Sequence, residues 1–187
     1  MTEFCIETYI NGLPENIEFI DVNSRQLNHL PDLTRFKNLK ILCCYNNRLT
    51  KLPPLNINLQ QLYCSNNQLT KLPSLNVALQ ILHCYNNQLT ELPSLNENLV
   101  ELYCFNNQLL TMPPLNDNIE QLYYNNNPIY EIIDSNNLFI INKKLKILHK
   151  FCHLYYCLKF KTQFRNLLWQ KNKRTKNYEK LTSHLFG

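Results

Sequence analysis

Hydrophobic positions between residues 17 and 133 return every 20 residues, with polar positions locked between them. Leu39, Leu59, Leu79, Leu99 and Ile119 form one column, and Leu42, Leu62, Leu82, Leu102 and Leu122 a second. Cys44, Cys64, Cys84, Cys104 and Tyr124 form a third, followed by Asn47, Asn67, Asn87, Asn107 and Asn127. Each unit reads LxxLxCxNNxLTxLPxLNxN. Around LxCx the apolar and variable positions alternate, which sends successive side chains to opposite faces and predicts one short strand per unit. One unit cannot bury its apolar face alone, so the units are expected to stack into a right-handed solenoid with a parallel, concave sheet. A degenerate earlier copy runs Ile17, Ile20, Val22, Leu27, Leu30, Pro31 and Leu33, with Arg25 at the asparagine position. About six repeats therefore occupy residues 17–137, preceded by an N-terminal cap over residues 1–16.

The asparagine that follows each strand is expected to turn the chain, its amide bonding backbone groups that no strand partner reaches. Pro53, Pro73, Pro93 and Pro113 remove a donor and fix φ in the return segment. An extended or polyproline-like convex side follows, with almost no α-helix inside the repeats. Beyond them, Ile147, Leu148, Phe151, Leu154, Tyr155 and Leu158 recur at helical spacing, and Phe160, Phe164, Leu167 and Leu168 continue on a shifted face. Residues 138–187 are expected to form a basic helical C-terminal cap and tail, closing the open end of the last repeat.

Composition narrows the function classes. Leu, Ile, Val and Phe make up about a third of the 187 residues, well above the fraction at which a chain is too polar to fold. Glycine occurs only at Gly12 and Gly187 while asparagine occurs 29 times, so no glycine-rich phosphate loop or dinucleotide fingerprint can be built. Eight cysteines are too few for a disulfide scaffold, and neither a leader-like segment nor a run of ~18 apolar residues is visible. A reducing, cytoplasmic setting without a membrane span is the expectation. Charge divides unevenly: residues 1–137 hold 7 Lys and Arg against 13 Asp and Glu, and residues 138–187 hold 12 against 1.

The in-phase LxxLxCxNNxL units resemble the leucine-rich repeat, and the LPxLN continuation is similar to the short, 20-residue subtype of secreted bacterial effectors. The asparagine-rich LxCxNNQLTxLP wording and the tail HLYYCLKFKTQFRNLLW also resemble repeat proteins of giant DNA viruses of amoebae. These resemblances imply a solenoid that recognises proteins, and the viral one implies a host-interaction factor acting in the host cytoplasm. Some effectors of this subtype carry a ubiquitin-ligase domain whose catalytic cysteine precedes an aspartate by two positions. Here Cys152 is followed by His153 and Leu154, and Cys157 by Leu158 and Lys159, so that chemistry does not transfer. No Ser, His, Asp constellation stands out either, and the chain reads as non-catalytic and free of cofactors.

The cysteine column invites a metal reading, but four thiols in a line do not converge on a point as a tetrahedral site requires. Packing as small apolar side chains is the plainer account. The informative positions are those on the strand's other face. Before each cysteine lie Cys43, Tyr63, His83, Tyr103 and Tyr123; after it lie Tyr45, Ser65, Tyr85, Phe105 and Asn125. Tyr45, Tyr63, His83, Tyr85, Tyr103, Phe105 and Tyr123 are the candidate partner-binding residues, because clustered exposed aromatics mark contact surfaces. The competing account is that the rings ladder with one another or mediate self-association. The basic tail carries the alternative function, contact with nucleic acid or another acidic surface.

Overall fold

The computed structural model describes residues 4–133 and 135–150. Described residues up to 145 belong to one compact unit and those from 146 to a second. The readings built on residues 151–187, including Cys152 and Cys157, lie outside the described residues.

Six three-residue strands form one parallel sheet in chain order: β1 (Phe19–Asp21), β2 (Ile41–Cys43), β3 (Gln61–Tyr63), β4 (Ile81–His83), β5 (Glu101–Tyr103) and β6 (Gln121–Tyr123). Register follows the sequence period: Leu42 pairs with Leu62, Leu62 with Leu82, Leu82 with Leu102 and Leu102 with Leu122. Ile20 pairs with Leu42, so the two extra residues of the first copy are absorbed in its return and leave the sheet in phase. The central residue of each of the first five strands is buried, as are the columns at Leu39, Leu59, Leu79 and Leu99 and at Leu49, Leu69, Leu89 and Leu109. Burying one such leucine stabilises by about 1.5–3 kcal/mol, so the interior stripe, repeated turn after turn, is what drives the stacking.

Asparagines at several positions of the repeat hold successive turns together, three of them in continuous ladders. Asn87 shows the innermost: its Nδ2 donates to the carbonyls of Cys64 (3.1 Å), Cys84 (3.1 Å) and Tyr85 (3.3 Å). Its Oδ1 accepts from the Leu69 amide at 3.0 Å, so one buried side chain serves two turns of backbone. On the return side Asn96 Nδ2 donates to Asn76 O (2.7 Å) and Leu79 O (3.0 Å), and Asn116 repeats the pattern one turn later. The third ladder is exposed: Asn86 donates to Asn66 Oδ1, Asn106 to Asn86 and Asn126 to Asn106, each at 2.6 Å. These residues, with Asn46, hold φ between 52° and 54°, a left-handed turn in which asparagine is tolerated and most side chains are not. That explains how a chain so poor in glycine makes a tight turn in the second to sixth repeats; in the first, Ser24 holds the equivalent conformation at φ 54°.

The return segments 51–56, 71–76, 91–96 and 111–116 carry neither helix nor strand, as expected. The sixth unit departs from that expectation. Pro128, four residues before the place where LPxL would stand, opens a helix, α2 (Pro128–Ile133), after the α1 helix (Ile6–Asn11) at the other end. Proline fits the first turn of a helix because its missing N–H has no partner there in any case. Ile129 and Ile133 bury the inward face of α2. A third helix opens at residue 138, where the C-terminal cap was expected to begin, and Asn137 Oδ1 caps it by accepting from the amides of Phe139 (3.0 Å) and Ile140 (3.2 Å). Tyr124 replaces cysteine at the end of its column, is buried, and donates its hydroxyl to Ser135 O at 2.6 Å.

The two adjacent asparagines should respond oppositely to substitution. Asn87→Ala strands buried backbone groups and is expected to lower stability by about 2–4 kcal/mol in urea unfolding. Asn86→Gly keeps the left-handed turn and should stay within ~0.5 kcal/mol, whereas Asn86→Val should cost about 1–2 kcal/mol. Equal effects at Asn86 and Asn87 would contradict this division of labour.

Candidate functional site

Parallel, in-register pairing places Tyr63 beside His83, His83 beside Tyr103 and Tyr103 beside Tyr123 on the outer face of the sheet. Strands lie ~4.8 Å apart, close to the distance at which rings stack, so the backbone itself sets up an aromatic column. His83 and Tyr103 stack at 4.1 Å between centroids with planes 5° apart. Tyr63 meets His83 edge-on at 4.9 Å, and Tyr103 meets Tyr123 edge-on at 4.8 Å. A second stack, Tyr85 on Phe105 at 4.5 Å, runs alongside, joined to the first by His83 and Tyr85 at 6.5 Å.

Six of the seven residues singled out in the sequence are therefore one continuous array. Tyr45 stands apart: Ser65, only 3% exposed, occupies the position between it and Tyr85, and no ring contact joins them among the described residues. Most of the rings are half-buried; Tyr123, at the end of the column, is 53% exposed. Mutual packing and solvent exposure coexist here, so the laddering foreseen as a rival to binding is present in the same rings.

Polar neighbours fix the rings in place. Tyr63 Oη donates to Gln61 Oε1 at 3.0 Å, and Tyr103 Oη donates to Gln121 Oε1 at 2.5 Å. His83 Nε2 is buried without a hydrogen-bond partner and lies 3.5 Å from Glu101 Oε2, an ion pair only when the imidazole is protonated. Burial pushes the His83 pKa below its ordinary 6.5, and the Glu101 carboxylate only partly opposes that shift. Sequence reading missed these supports; the signal available was the amide at Gln61 and Gln121, which the 20-residue period places in the outward column beside the tyrosines.

The cysteine column lies on the opposite face, with Cys44, Cys64, Cys84 and Cys104 each fully buried. Burial pushes the thiols of Cys44, Cys64 and Cys84 well above their usual range and that of Cys104 up to about 12. Cys43, on the outer face, rises to about 11 through burial and then the nearby Asp21 carboxylate. Thiols held protonated in this way are poor nucleophiles and poor metal ligands at neutral pH. Among the described residues no group of three or more His, Cys, Asp or Glu is arranged around a metal position. No helix among them is long and apolar enough to cross a membrane.

With this geometry in view, residues 37–77 and 57–97 match the family described as Leucine Rich repeats (2 copies). No curated protein matches the sequence. Among solved structures, YopM from Yersinia enterocolitica WA-314 is similar at 34% identity and a TM-score of 0.57, over 66% of this chain and 26% of that one. A Shigella effector leucine-rich repeat domain is similar at 30% identity and a TM-score of 0.58, over 65% of this chain and 53% of that one. YopM of Yersinia pestis, a leucine-rich effector protein, aligns at 32% identity and a TM-score of 0.56, over 62% of this chain and 39% of that one. The chain thus spans between about a quarter and a half of the length of these proteins.

Two outcomes check the site's chemistry. In an NMR titration His83 should titrate below 6.5, and Glu101→Gln should move it further down, because the substitution removes the one charge that favours the imidazolium. Since the folded pKa is depressed, the stability His83 contributes is complete above 6.5 and is lost as pH falls through the folded value. On the other face, Cys84→Ser buries a hydroxyl in place of a thiol and is expected to cost about 1–3 kcal/mol by thermal or urea unfolding. An unchanged unfolding midpoint would mean that the column is not packed core.

Proposed function

We propose that this leucine-rich repeat protein, similar to bacterial effectors, is a non-catalytic module that binds a protein partner through the aromatic outer face of its sheet. The supporting observation is the continuous array of Tyr63, His83, Tyr85, Tyr103, Phe105 and Tyr123, partly exposed and prearranged by stacking. Rings already fixed by one another lose little conformational entropy when a partner covers them, and tyrosine offers both apolar area and a hydroxyl. On a concave sheet such an array meets a convex or extended surface. Tyr45 forms the margin of the proposed face. The likeness to proteins named as effectors, together with the wording shared with viral repeat proteins, supports a role in host interaction within the host cytoplasm. The tail carries the second reading, contact with nucleic acid or another acidic surface, on the strength of 12 Lys and Arg against a single acid in residues 138–187.

Capture from a host lysate at low and high salt separates the two readings, since phosphate contacts weaken steeply with ionic strength and an aromatic interface does not. The double substitution Tyr85→Ala with Tyr103→Ala is expected to abolish capture, because a few central aromatics dominate most interfaces. Lost stacking should lower stability by about 1–3 kcal/mol while leaving unfolding cooperative. Tyr123→Ala, at the exposed end, should weaken capture with almost no change in melting temperature. Capture that survives the double substitution and disappears at high salt would instead favour the tail.

A further inference from the structure

The outward strand positions of β3 to β6 hold one acid and no lysine or arginine, and the sign of that charge decides which partner chemistry fits. The outward column Ile41, Gln61, Ile81, Glu101 and Gln121 pairs in register across β2 to β6, so Glu101 is flanked by Ile81 and Gln121. Its side chain is 26% exposed, and its one ion-pair contact among the described residues is His83 Nε2 at 3.5 Å. That imidazole is kept neutral at physiological pH by its burial among Tyr63, Tyr85 and Tyr103, so no cation compensates the carboxylate among the described residues. No lysine or arginine occupies an outward strand position from Phe19 to Tyr123 or the position after the cysteine column. The other charge on the outward strand positions is a second acid, Asp21, which accepts from the Asn23 amide at 3.0 Å.

We infer that the outer face of β3 to β6 is a docking surface for a basic segment of another protein, in which an arginine or lysine reaches the Glu101 carboxylate while its stem packs against the neighbouring rings. The inference rests on the proposed binding role of this face and names its partner's chemistry. Covering the face strips water from Glu101, which costs free energy unless the partner supplies a cation, so neutral and acidic segments are selected against. Arginine meets the requirement best: its planar fork donates two N–H groups to one carboxylate, and its weakly hydrated head tolerates an aromatic surround. An acidic segment would bring like charges against both Glu101 and Asp21.

The test uses the full chain and three labelled synthetic peptides of equal length, alternating tyrosine with arginine, glutamine or glutamate, followed by fluorescence anisotropy. The arginine peptide is expected to bind at least about ten-fold more tightly than the glutamine peptide, as a charge-assisted pair at a partly buried site implies. Glu101→Gln should erase that preference, while Glu97→Gln, on an exposed return turn, should leave it intact. A preference unchanged in Glu101→Gln overturns the inference. If Tyr103→Ala abolishes binding of all three peptides while Glu101→Gln changes nothing, the face binds but not through a cation, and the proposed function survives alone. If neither substitution matters, both readings fall. Sedimentation showing a dimer that dissociates on Glu101→Gln would replace the foreign partner by a second copy and so overturn the assignment.

Discussion

From the second turn onward, this solenoid leaves each strand through a pair of asparagines, and nearly everything else depends on how that pair is satisfied. The first takes the left-handed conformation that lets the chain bend sharply, and the second spends its amide on carbonyls and an N–H of two successive turns. Without the second, buried backbone groups at the end of every strand would lack partners, because three-residue strands are too short to satisfy them by pairing alone. The ladder also fixes the axial repeat, since an amide that bridges two turns tolerates only one separation.

A fixed separation has consequences on both faces of the sheet. Inward, it sets leucine on leucine and cysteine on cysteine, producing an apolar interior whose thiols are kept protonated by burial. Outward, it places whatever the variable positions hold at stacking distance from their counterparts. Tyrosine, histidine and phenylalanine at those positions become an ordered array whose geometry the backbone has already determined. A recognition surface of this kind costs the fold little, because the aromatic neighbours stabilise one another at about 0.5–1.5 kcal/mol per pair.

A stack of identical units has no natural ends, and the chain changes its rules at both. At the start, α1 buries Ile6 and Ile10, and Arg35 Nη2 donates to the carbonyls of Ile10 (2.5 Å) and Leu13 (3.3 Å). In the last repeat a tyrosine fills the position that cysteine holds elsewhere, and α2 replaces the extended return. Both changes supply bulk where a further repeat would otherwise have supplied contacts.

The period, the inward columns and the division of each strand into buried and outward residues were legible in the sequence, because stacking in phase copies a one-dimensional repeat directly into space. So were the candidate aromatics, which the same periodicity assigns to one face. The left-handed turn at Asn46 and its equivalents was legible only in hindsight, in the NN doublet of a chain nearly devoid of glycine. The isolation of Tyr45, the neutral His83 and, among the described residues, the lack of a cation beside Glu101 were decided by tertiary structure alone. Each depends on what lies one repeat away and on how much water remains there, quantities that follow from the packing of neighbouring turns and are written in no single unit of the sequence.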